Sequence, residues 1–70
     1  MSQTRIVSEF GNDYLCVSFT NVDPDYSGVT VKRDGNVIGE IVGLDIPDKD
    51  DKIAIAEFND TVTTWIVENE

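Results

Sequence analysis

Between Gly28 and Gly43 the chain alternates apolar and polar residues, turns once, and runs back. Val29-Thr30-Val31-Lys32-Arg33 has the two-residue period of a half-buried strand. Asp34-Gly35 follows. This pair suits a type I′ turn, which needs positive φ at both central residues. Asn36 to Val42 returns with β-branched residues at 37, 38, 41 and 42. The pattern predicts a β-hairpin, around which the rest of the chain is organised. Inside its second strand, Gly39 marks a bulge or a barrel bend, and Glu40 marks the solvent face.

The flanking segments extend the same alphabet. Arg5 to Phe10 reads as a first strand, with Ile6, Ser8 and Phe10 on one face and Val7 on the other. Gly11-Asn12-Asp13 reads as a turn. Tyr14 to Thr20 reads as a second strand whose apolar face is Leu15, Val17 and Phe19, with Cys16 opposite. Two longer loops, 21–27 and 44–51, carry Pro24 and Pro47. Lys52 to Phe58 alternates through Ile53 and Ile55 and predicts a fifth strand. A short helix near 47–57 is its rival, because Pro47 suits a first helical turn rich in acids. Asn59-Asp60 then predicts a tight turn, and the β-branched run Thr61 to Val67 a last strand.

Consecutive strands usually pair. The expected fold is therefore mostly β: one domain over residues 1–70, a small antiparallel meander sheet or barrel of five to six strands. Loops of a meander alternate between its ends. Turns at Asp13, Asp34 and Asp60 would share one end. The loops with Asp23, Asp25, Asp45, Asp48, Asp50 and Asp51 would share the other with Glu68 and Glu70.

Composition narrows the function. A chain of 70 residues buries only about 60% of the surface its unfolded form exposes, so its core is thin. It has one cysteine and no histidine, which excludes an internal disulfide, argues against structural zinc and removes the histidine-dependent forms of nucleophilic catalysis. No apolar run approaches the roughly 18 residues of a membrane span, and the N-terminus lacks a signal-peptide pattern. These features make a cytoplasmic protein the default reading. Cys16 reads as a small buried hydrophobe.

Charge is the abnormal quantity. Fourteen acids face five bases, a net charge of −9. That disfavours direct contact with nucleic-acid phosphates or an anionic membrane. It permits a solubility coat, a surface that occupies a basic face of another protein, or a calcium site. Asp23-Pro24-Asp25-Tyr26-Ser27-Gly28 matches the opening of a calcium loop. The eighth, ninth and twelfth positions, Thr30, Val31 and Asp34, depart from it. A weaker site pooling both acidic loops is the remaining calcium option.

Two segments, Asp13-Tyr14-Leu15-Cys16-Val17 and Asp34-Gly35-Asn36-Val37-Ile38-Gly39-Glu40-Ile41, resemble a family of short, uncharacterised bacterial and archaeal proteins. Members open with a Tyr-Asp-x-x-x-Asp-x-Leu-Tyr-Ile-type strand and later carry Gly-Asn-apolar-apolar-Gly-x-Glu-apolar. The opening Tyr-Asp is absent here. The resemblance implies a small β-rich fold and transfers no activity.

The sequence thus favours a non-enzymatic acidic binding module that needs no cofactor or metal. Its partner would be a protein with a basic surface, engaged through Asp23, Asp25, Asp45, Asp48, Asp50 and Asp51. Tyr26 and Trp65 would be the apolar anchors, since aromatic side chains carry large contact area. In size and charge it compares with phage-encoded anti-defence inhibitors that mimic nucleic acid. The alternatives are a structural domain with an acidic coat, homodimeric through a sheet edge, and a weak calcium-binding module.

Overall fold

The computed structural model describes residues 3–20 and 26–70. Four strands, β1 (Thr4–Glu9), β2 (Asn12–Phe19), β3 (Gly28–Arg33) and β4 (Asn36–Val42), precede one helix, α1 (Lys52–Asn69). The strands form an open antiparallel sheet in the order β1-β2-β3-β4. The meander and the central hairpin are as the sequence predicts. The fifth and sixth strands and the closed barrel are not: residues 52–69 form one helix.

Two physical causes decide for the helix. Asp51 has extended backbone and its carboxylate accepts from the Ala54 N–H at 3.0 Å, an N-cap that satisfies an otherwise orphaned donor. Phe58, Val62 and Ile66, spaced by four, are the buried stripe. No Gly or Pro interrupts residues 48–70. The β-branched threonines cost only tenths of a kcal/mol each in helix propensity, roughly, which burial of that stripe outweighs. Thr61 is accommodated by donating its hydroxyl to the Glu57 carbonyl at 2.9 Å. The helix begins at Lys52, so Pro47 lies in the loop before it rather than at a helix start.

Both hairpin turns at one end are built alike. Phe10 and Gly11 have φ of 53° and 78°, and Asp34 and Gly35 have 52° and 81°. Each turn therefore supplies two left-handed residues between paired strands. The first sits one residue earlier than the sequence suggests, at Phe10-Gly11, because Glu9 pairs with Asn12.

The helix packs on one face of the sheet only. Val7, Tyr14, Cys16, Val29 and Val31 are buried beneath Phe58, Val62 and Ile66. This inverts the expected faces: Leu15, Val17 and Phe19 lie half-buried on the opposite, outer face, with Ile6. Small side chains decide it. Cys16, the two valines of β3 and Gly39 leave room for a helix, and the indole of Trp65 lies directly over Gly39. A register shift falls beside Gly39, where Ile38 is the extra residue of a bulge. Thr63 donates to Glu9 at 3.1 Å, so the flanks of α1 reach both edge strands, β1 and β4.

Glu70 pairs with Arg33 at 2.6 Å, beside the Asp34-Gly35 turn. The helix thus carries the chain back to the turn end. Glu68 and Glu70 do not join the acidic loops, and Asp60 is a helical residue rather than a turn. The acids are divided between the two ends of the molecule.

Candidate functional site

Thr20, Tyr26 and Ser27 lie with the loop 43–51 at the end of the sheet opposite the two tight turns. The Gly43 N–H donates to the Ser27 carbonyl at 2.8 Å, and Gly28 pairs with Val42, so the two connections leave the sheet side by side. Loop 43–51 is anchored from within, because Leu44 and Ile46 pack against the core. Asp45, between them, is exposed. Ile46, Pro47, Asp48 and Lys49 line an open hollow with Gln3 and Thr4. The loop thereby spans from β4 toward β1 across this end.

The acids have distinct local roles. The Asp48 carbonyl accepts from the Asp51 N–H at 3.0 Å and closes a turn. Its carboxylate receives a long contact, 3.4 Å, from the Asp50 N–H. Asp51 is committed to capping the helix. Asp51, at the N-cap, also meets the positive end of the helix dipole, which favours a carboxylate there. Four acids and two lysines, Lys49 and Lys52, occupy residues 45–53, so the loop is only moderately negative.

Of the residues singled out in the sequence, Tyr26, Asp45, Asp48, Asp50 and Asp51 come to this one end. Tyr26 is 59% exposed. Asp23 and Asp25 lie outside the described residues. Trp65 does not join them. It is thirteen residues along α1 from Lys52, about 20 Å at 1.5 Å per residue, and it is half-buried against Gly39. Its role is in the core. A different exposed apolar side chain lies at this end, Ile53, at a position the sequence pattern assigns to a strand. In the first turn of α1 Ile53 is 75% exposed and lines a second open hollow with Asp48, Asp50, Asp51 and Lys52. A helix started from the Asp51 cap would have revealed it.

The calcium-loop reading meets a geometric obstacle. Residues 28–33 are extended strand, and Asp34 is in the turn at its far end. Six strand residues span about 20 Å, so Asp34, the twelfth position, stands far from Ser27, the fifth. Among the described residues no group of three or more His, Cys, Asp or Glu side chains is placed to hold a metal ion.

Cys16 lies in the sheet beneath the helix, fully buried, and burial pushes its thiol up to about 11. That is the direction of an inert core thiol. At the turn end, the Tyr14 phenol and the Glu70 carboxylate hold Arg33 more firmly in its charged form. No described helix is long and apolar enough to cross a membrane.

No protein-family model, curated protein or solved structure matches this chain.

Proposed function

We propose that this chain is a non-enzymatic binding module that engages a basic protein surface through its loop end. The observation that carries the reading is the juxtaposition, on one braced end of the sheet, of exposed Asp45, Asp48 and Asp50 with two largely exposed apolar side chains, Tyr26 and Ile53. Carboxylates steer a cationic partner, and the Tyr26 ring and the Ile53 side chain supply area to desolvate on contact. A surface of this chemistry fits the role of an inhibitor that occupies a nucleic-acid-binding face by presenting carboxylates where phosphates would lie.

A second reading, an acidic solubility coat, draws support from the division of acids between the two ends, with Asp34, Glu68 and Glu70 far from the loops. Affinity capture from native cell extract, with the full chain as bait, separates the two. Capture should be strong at low salt, weak at moderate salt, and reversed by excess DNA. A folded bait that retains nothing at either salt would leave the coat as the better account.

A further inference from the structure

The helix covers one face of the sheet, and no described strand or helix lies over the other. That outer face carries Ile6, Leu15, Val17, Phe19, Val37 and Val42. Ile6, Val37 and Val42 are 61%, 60% and 56% exposed. The pairing arranges its middle into two rows across the strands: Ile6, Leu15, Lys32, Val37 and, next to it, Thr4, Val17, Thr30, Glu40. We propose that a second copy of this chain covers this face, giving a two-fold homodimer by sheet-on-sheet packing.

Charge argues for a second copy over another partner. The chain is −9 overall, yet the two rows hold one cation and one anion, Lys32 and Glu40, and are neutral. Two strongly acidic molecules can therefore meet over these rows with little local repulsion, the nearest further charge on the face being Asp13, one row beyond Leu15. The face is also self-complementary, as a two-fold interface requires. An axis running across the strands, between the rows, lays each row over the other row of the second copy. Lys32 of one copy is then offset by one strand spacing, about 4.8 Å, from Glu40 of the other, across the gap of about 10 Å between packed sheets, a backbone separation of about 11 Å that the two side chains span together. Symmetry makes the contact twice.

The area sets a weak interface. Four strands of about six residues cover roughly 400 Å² in plan, before the relief of the side chains is counted. Stable interfaces begin near ~600 Å² of accessible surface per partner. Association in the micromolar range or weaker follows. The face differs from the sheet-edge pairing expected from the sequence, and it leaves the acidic loop end of each copy open.

Sedimentation equilibrium of the full chain tests the proposal over about 10 μM to 1 mM, the range in which a small interface dissociates. The expected mass rises toward twice 7.8 kDa, and the dimer tightens with added salt as the mutual repulsion of the acids is screened. Lys32→Glu should weaken the dimer by about tenfold or more, because like charges then face across the interface. Lys32→Glu with Glu40→Lys should restore it. Circular dichroism would confirm that each variant keeps its fold. A mass of 7.8 kDa throughout, or a dimer indifferent to both Lys32→Glu and Val17→Lys, would overturn the proposal.

Discussion

The Trp65 indole occupies the space that a side chain at Gly39 would need: a Cβ on Gly39 would lie 2.4 Å from Trp65 Cζ2. The glycine is what lets the helix settle on β4. Gly39→Ala should overpack this contact and destabilise the protein by about 1–3 kcal/mol. The emission of Trp65 should shift to the red as the ring is displaced toward water. In a Trp65→Ala background the same change at Gly39 should cost little. Denaturant unfolding followed by fluorescence and circular dichroism checks both.

Asp51 belongs to the acidic loop in sequence but to the helix in structure, through its 3.0 Å contact with the Ala54 N–H. Asp51→Ala should cost about 1 kcal/mol, a fall of about 4–8 °C in melting temperature for a domain of this size. Asp51→Asn keeps a capping oxygen and should stay close to the parent. Thermal melts of the two variants measure the difference.

Cys16 should resist alkylation in the folded protein and react on unfolding, because its thiol is buried and its pKa is raised from 9.0 to about 11. The raised value makes stability depend on pH. Below pH 9 both states hold the proton and the contribution is complete. Between pH 9 and about 11 only the unfolded chain releases it, so stability falls as pH rises through that window. Unfolding free energies at pH 8 and pH 10, compared with Cys16→Ala, should show a steeper loss in the parent.

The central hairpin was legible because Asp34-Gly35 fixes a turn chemically and the flanking alternation fixes its strands. The last quarter reads as strand in sequence because Thr61-Val62-Thr63-Thr64 and Ile66-Val67 carry strand propensity, while the four-residue spacing of Phe58, Val62 and Ile66 carries the tertiary information. Burial overrode propensity. The inversion of faces has a related cause. In β2 both faces are apolar, with Leu15, Val17 and Phe19 on one side and Tyr14 and Cys16 on the other. Hydrophobicity alone favours the larger set. Helix packing chose the side where Cys16, Val29, Val31 and Gly39 leave space. Of the candidate site, the loop acids and Tyr26 were legible as polar and aromatic residues in loops. Ile53 was hidden by the strand assignment, and Trp65 was drawn into the core by a glycine that reads in sequence as a bulge.

On the proposed function the loop end, rather than acidity in general, makes contact with a partner. Two baits of equal charge test it most directly. One carries Asp45→Asn, Asp48→Asn and Asp50→Asn, leaving the Asp51 cap intact. The other carries Asp34→Asn, Asp60→Asn and Glu68→Gln, away from the loops. Each has three fewer negative charges than the parent. The loop-end proposal predicts that the DNA-displaceable partner is lost from the first bait and retained by the second. Equal retention, or equal loss, by both would contradict it.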